Sequence, residues 1–250
     1  MTLQHFVVRM LFDPVLVDKV YGNSTVDGLD DAGRRLLTQP DRRAWALDVY
    51  RRMRALTALL EEFPASAGQA GVATLDAYFS SEIFHSICQE RGSMALGFGA
   101  WIEALAGPVA RLETALARIR RPQPATEPGI RLSANAAVVC LPMGTLDQYQ
   151  ALRAQLGDQP IVALVEGKVR PVALPESQQS QYLLVQARPD GEISLSLTSE
   201  TLALLLQAAE QTIGRAELQA RARELGAEPG EEDEIIDDLI HEELLTPTGA

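Results

Sequence analysis

The sequence predicts an α+β fold: a helical bundle over residues 1–121, a proline-rich linker over 122–130, and a winged-helix-like domain over 131–250, with a small antiparallel sheet and three short helices. Three observations lead there. The first half carries apolar residues at three- and four-residue steps, the period of an amphipathic helix. The stretch RPQPATEPG, residues 121–129, holds three prolines and a glycine in nine residues, a composition that interrupts regular elements. Further on, two strand-like runs flank Asp190-Gly191, a dipeptide suited to a tight hairpin turn.

Each helix of the first half has its own signals. DPVLVDKVYG opens with Asp13 as N-cap and Pro14 at the first helical position. In DRRAWALDVYRRMRALTALLEEF, residues Trp45, Val49, Met53, Leu56, Leu60 and Phe63 form one apolar stripe, which Pro64 ends. LDAYFSSEIFHSICQERG has Ser80 or Ser81 as a cap and Gly92 as its stop. SMALGFGAWIEALAGPVARLETALARIR follows, broken near Gly107-Pro108, for a bundle of four or five helices.

After the linker the period changes. NAAVVCLPM and IVALVEG are apolar runs of strand length. In QYLLVQARPDGEISLSL, residues Leu183, Val185 and Ala187 share one strand face, and Ile193, Leu195 and Leu197 share one face of the return strand. Three short helices close the chain, roughly 199–211, 215–225 and 231–243. Gly226 stops the second. Glu231 and Glu232 open the third, where the helix dipole favours acids, and Ile235, Ile236, Leu239 and Ile240 make its apolar face.

Composition narrows the function. The chain has 250 residues, 46% of them hydrophobic, which suits a globular protein with a real core. No apolar run approaches the ~20 residues that span a bilayer. Arg9 interrupts the apolar LQHFVVRMLF and no small-residue cleavage site follows, so no signal peptide is expected. Two cysteines, Cys88 and Cys140, cannot build a disulfide framework or a thiolate zinc site, and point to a reducing, cytoplasmic setting. Residues 1–125 balance 14 basic against 14 acidic side chains, whereas 126–250 carry 8 against 20, so the whole net charge of −12 lies in the second half. Such a surface repels phosphate backbones and anionic lipid and favours a basic partner.

Catalytic patterns are sparse. The three histidines form no HExxH and no two-histidine arrangement, and His85 on an apolar helix reads as a packed core histidine. Glu61 and Glu62 are adjacent, so they point in different directions on a helix and face solvent. Gly97-Phe98-Gly99 follows no strand and continues into no phosphate motif, so it marks a close approach of helices. Nucleophile elbows and CxxC pairs are missing. No catalytic set, metal site or cofactor is therefore expected within the chain.

The terminal module leaves two binding classes. A DNA-reading winged helix needs a basic recognition helix, but Glu217 and Glu224 offset Arg215, Arg221 and Arg223, and the next helix is acidic. A winged-helix transcriptional regulator is the alternative reading. The other class uses the sheet, whose edge strand can pair with an extended peptide while a neighbouring helix supplies side-chain pockets.

The segments MLFDPVLVDKVYG, DRRAWALDVYRRMRALTALLEEFPAS, YFSSEIFHSICQERGSMALGFGAWI, YLLVQARPDGEISL and RAELQARARELGAEPGEEDEIIDDLIHEELL resemble the partner subunits of multinuclear non-haem iron oxidative enzymes in ribosomal peptide natural-product pathways, such as those of methanobactin and thiaglutamate. The resemblance implies a non-catalytic subunit, forming a heterodimer with a separate iron enzyme that reworks a cysteine of a precursor peptide. It implies that the iron belongs to that enzyme, and that this chain captures the precursor's leader through its winged-helix-like element. On that basis Glu192, Ile193, Ser194 and Leu195 of the return strand, with Glu231, Glu234 and Asp238 of the last helix, are candidate peptide contacts. Arg51, Arg52 and Arg54 are candidate enzyme contacts, and neither nucleic acid nor membrane is an expected partner.

Overall fold

A computed structural model describes residues 59–90, 92–121, 127–173, 179–188 and 191–249. The expected helix over 13–22 and residues 41–58 of the helix expected over 41–63, with Arg51, Arg52 and Arg54, lie outside these residues, as do 122–126 of the linker. The fold is α+β, and the described chain divides into two compact units, residues 59–113 with 147–173 and residues 114–146 with 174–249.

The first unit is helical. Residues 59–62 are helical, the turn breaks at Phe63, and Pro64 begins α1 (Pro64–Ala70). A residue before proline is pushed out of the helical region, whereas proline itself suits the first helical position. Leu59, Leu60 and Phe63 are buried, Glu61 is exposed and Glu62 half-buried. Then come α2 (Val72–Phe79), α3 (Glu82–Glu90), α4 (Met94–Ala106) and α5 (Pro108–Ile119), whose first residues belong to this unit. Ser81 Oγ accepts from Phe84 N at 3.2 Å and Ser93 Oγ from Leu96 N at 3.3 Å, so each caps the helix that follows it. Gly92 N donates back to Ile87 O, ending α3, and Gly107-Pro108 separates α4 from α5.

An aromatic cluster forms the centre of this unit. Tyr78 lies edge-on to Phe84 and Phe98, with ring centroids 5.2 and 5.0 Å away, and Phe98 meets Phe63 at 5.4 Å. The Tyr78 hydroxyl donates to Met94 O at 2.8 Å, which satisfies its one polar atom, and burial raises its pKa. Gly97 explains the close approach of α3 and α4: a Cβ there would sit 1.8 Å from Ile87 Cδ1.

Residues 147–173 contribute the rest of α6 (Thr145–Leu156) and α7 (Pro160–Val165). The α7 helix corrects the expectation of a strand at IVALVEG. Pro160 occupies its first turn, and Ala163 and Leu164 are buried side by side. A five-residue apolar run carries no decisive period, and a proline at its head starts a helix as readily as it bounds a strand.

Glu113 on α5 is wholly buried. Its Oε1 accepts from Ala65 N at 2.9 Å, and its Oε2 accepts from Ser66 N at 2.8 Å and Ser66 Oγ at 2.6 Å. These are first-turn groups of α1, whose own N-cap, Phe63, offers no side-chain acceptor. Glu113 thus caps a helix distant in sequence. Burial raises its carboxyl pKa to about 7, and the Ser66 and Ala65 donors and nearby Arg153 offset part of that rise.

The second unit holds β1 (Gly129–Leu132), β2 (Ala136–Pro142), β3 (Ser180–Ala187), β4 (Ile193–Thr198), α8 (Glu200–Ala208), α9 (Arg215–Glu224), α10 (Glu231–His241) and β5 (Leu245–Thr248). Two antiparallel sheets result, β1 with β5 and a three-stranded sheet in the order β2-β3-β4. Ile130 also exchanges both backbone hydrogen bonds with Ile213, between α8 and α9. Gly129 and Ile130, at the end of the proline-rich stretch, therefore belong to a strand. The core joins Ile130, Leu132, Val138, Leu206, Leu218, Ile236 and Leu245, drawn from both sheets and all three helices. Strands β3 and β4 pair as the expected hairpin, with Gly191 at φ +86° and its N–H donating to Arg188 O at 2.9 Å, while Asp190 lies outside the described residues.

Two helix ends make an instructive pair. Leu225 caps α9, and Gly226 follows it at φ +106°. After α10, Glu243 takes the same role at φ 59°, with Glu243 N on Ile240 O and Leu244 N on Leu239 O. A side chain in that region costs about 1 kcal/mol. Glu243→Gly is therefore expected to raise stability by roughly 0.5–1 kcal/mol in urea unfolding. A second expectation concerns Glu113. Its folded pKa lies above the unfolded value of 4.5, so its contribution is intact in acid and is lost as pH rises between 4.5 and about 7. That loss is about 3 kcal/mol. Glu113→Gln should lower stability in acid, because its amide cannot accept from every donor, yet abolish most of this pH slope.

Candidate functional site

Strand β4 is an outer strand of the three-stranded sheet in the second unit. Among the described residues its one neighbour is β3, through pairs running from Ala187/Ile193 to Tyr182/Thr198. Arg188 N donates to Glu192 O at 2.7 Å. Antiparallel alternation from that pair turns the N–H and C=O of Ser194 and Ser196 toward β3 and those of Ile193, Leu195 and Leu197 away from it. The side chains of Ile193, Leu195 and Leu197 share a face with Val185 and Leu183. The β3 pair is fully buried, whereas Ile193 and Leu195 are half-buried and Leu197 is 69% exposed. A row of outward backbone groups thus runs beside apolar side chains, which is what an added strand requires.

Neighbouring contacts hold this edge in place. Ser199 Oγ accepts from Leu202 N at 3.2 Å and caps α8 where β4 ends. The Tyr182 hydroxyl donates to Glu200 Oε1 at 3.1 Å, and that bond is the main cause of the rise in the Tyr182 pKa. Ser194 Oγ donates to Gln186 O at 3.3 Å, across the hairpin.

On α10 five of the six acids fall into two sets, and the sixth, Glu232, pairs with Arg223 at 3.5 Å. Arg215 Nη2 bonds Asp233 Oδ1 at 2.8 Å and Asp237 Oδ1 at 2.7 Å, while Gln219 Nε2 donates to Asp233 Oδ1 at 2.7 Å. The Arg215 hydrogen bonds hold the Asp233 carboxyl below the usual aspartate range. Glu231, Glu234 and Asp238 are exposed on another side of the helix. Among the described residues Glu234 and Asp238 join no ion pair. The predicted peptide contacts therefore fall on two elements, an outer strand and an acidic helix face. The helix that packs on β2 and β3 is α8, and α10 packs on α9 and β5. The position of α8 was legible only in the sense that Ser199 directly follows the return strand.

In the helical unit, His85 is 2% exposed and meets the Phe84 ring at 5.8 Å, in keeping with a packed histidine. Cys88 lies one turn on along α3, a spacing visible in the sequence; burial raises its thiol pKa. Both cysteines are free thiols. Among the described residues no group of three or more His, Cys, Asp or Glu could hold a metal ion, and no helix is long and apolar enough to cross a membrane. No protein-family model and no curated protein matches the chain.

The Arg215 clamp yields a prediction. Arg215→Ala is expected to lower Tm by about 2 °C at low ionic strength and by less at 1 M salt, because the network is exposed and screened. Asp233 has a lowered folded pKa, so its contribution is present above the unfolded value of 3.8 and is lost as pH falls through that region. Thermal melts of both chains across salt and pH measure this.

Proposed function

We propose that the chain is a non-catalytic partner subunit, binding the leader of a ribosomally made precursor peptide and presenting it to a separate multinuclear iron enzyme that modifies a cysteine. The observation that carries this reading is β4, an outer strand with outward N–H groups at Ile193, Leu195 and Leu197 and an exposed Leu197 beside them. An extended leader adds to that edge through its backbone and buries apolar side chains on the Leu195–Leu197 face. The motif resemblance described above supplies the partner enzyme and the cysteine chemistry, and the heterodimer would be cytoplasmic.

The arrangement of the second unit supports a winged-helix-like element. Helix α8, the Ile213 bridge, α9, α10 and β5 follow in the order helix, strand, helix, helix, wing, with β1 completing the wing. The alternative of a DNA-binding regulator is disfavoured by charge. The first turn of α10 carries Glu231, Glu232, Asp233 and Glu234, and Arg215 is already engaged by Asp233 and Asp237. A helix so charged repels the phosphates that a recognition helix must approach. The same exposed acids, Glu231, Glu234 and Asp238, would draw in a basic leader segment.

Co-purification with a multinuclear iron enzyme encoded beside this chain and titration with a precursor peptide encoded there test the reading. Binding of neither would overturn it. Leu197→Pro removes an outward N–H without removing a β3–β4 hydrogen bond and changes a largely exposed residue. It should weaken leader binding about tenfold, the value of one backbone hydrogen bond. The far-UV circular dichroism should stay unchanged.

A further inference from the structure

The segment after α7 is held in an unusual way. Gly167 ends that helix at φ +66°, and residues 168–172, Lys-Val-Arg-Pro-Val, then run in no regular element. Glutamine side chains stand in for a neighbouring strand. Gln155 accepts from Arg170 N at 2.7 Å and donates to Arg170 O at 3.3 Å. Gln69 accepts from Val172 N at 2.9 Å and donates to Val172 O at 3.2 Å, and Gln148 Nε2 donates to the same carbonyl. Each of two alternate residues is thus read at both its N–H and its C=O, which recognises backbone and is indifferent to side chain.

Two apolar seats accompany these clamps. Val169 and Val172 pack against Ala65, Val109 and Leu152. The absence of a side chain at Gly68 admits Val169, whose Cγ1 would lie 2.9 Å from a Cβ built there. Gln148, Leu152 and Gln155 lie along one stripe of α6. Lys168, Arg170, Pro171 and Ala173 are exposed, so among the described residues the segment is seated by its two valines and its backbone.

The fit is incomplete at one atom. Gln148 is 4% exposed, and its Oε1 is buried without a hydrogen-bond partner. A buried carbonyl lacking a donor is unfavourable, and Pro171, beside Val172, has no N–H to give. A different extended chain could satisfy that oxygen as well as the clamps already in use.

We propose that the Gln69–Gln148–Gln155 groove is a binding site for an extended peptide bearing two β-branched aliphatic residues three apart, and that residues 168–172 are its tethered, exchangeable occupant. The tether gives the resident segment an effective concentration in the millimolar range, so a free peptide competes only weakly until the segment is displaced. This site is separate from β4 and does not depend on the leader-binding reading.

The probe is a fluorescent synthetic peptide of residues 167–173, GKVRPVA, titrated against the full chain. Val169→Asp with Val172→Asp should dislodge the resident segment and leave the groove intact, tightening peptide binding at least tenfold over the unaltered chain. Adding Gln69→Ala and Gln155→Ala should reverse that gain. Hydrogen exchange of the unaltered chain provides the second measurement: Arg170 and Val172 amides should exchange through an opening that leaves α1 and α6 protected. Exchange of those amides only together with α1 and α6 would overturn the proposal, whether or not the aspartate variant folds. So would a dislodged variant with protected α1 and α6 that binds the peptide no better than the unaltered chain.

Discussion

A carboxylate buried against the start of a seven-residue helix is the constraint on which the helical unit depends. Helix α1 consists of PASAGQA, short and made of small residues, and its N-cap position offers no acceptor. Alone such a helix would leave its first-turn N–H groups unsatisfied in a dry interior. Glu113 answers that need from α5, accepting from Ala65, Ser66 and the Ser66 hydroxyl. The cost is a buried acid, whose pKa rises to about 7 against the pull of three donors. Because α1 is placed this way, Gly68 and Gln69 are placed too, and with them the seat of residues 168–172.

The second unit rests on a different balance. Its core is continuous across both sheets and three helices, and each short helix has a recognisable device at one end. Ser199 caps α8, Gly226 stops α9, and the positive φ of Glu243 turns the chain from α10 into β5. That last turn returns the chain to β1, so the proline-rich stretch leads directly into a paired strand. The result leaves β4 with an outer edge while the core side chains of β3 stay buried. Charge is divided in the same economical way: Asp233 and Asp237 are occupied with Arg215, Glu232 with Arg223, and Glu231, Glu234 and Asp238 face solvent.

Legibility followed the range of the interaction. Hairpin, caps and the apolar face of α10 rest on residues a few positions apart, and these were readable: Gly191 in its turn, Ser81 as a cap, Ile236 and Leu239 inward. The glycine at 97 was readable as a close approach, although only the fold identifies Ile87 as the neighbour. IVALVEG misled because five apolar residues satisfy strand and helix equally, and the deciding factor was Pro160 at the helix start. Helix α6 carries glutamines where an apolar stripe would be sought, since those positions bind a backbone.

The sequence by itself determined the α+β class, the second-half charge, the hairpin and the inward faces of the terminal helices, because period, turn residues and caps act over one or two turns of chain. Tertiary structure alone decided that Glu113 caps α1 from 47 residues away, that α8 lies on β2 and β3, and that Gln69 and Gln155 grip residues 170 and 172. These contacts join residues whose spacing carries no period. A carboxylate or an amide becomes a cap or a clamp only when folding brings a backbone group within hydrogen-bond reach and removes the water that would otherwise satisfy both.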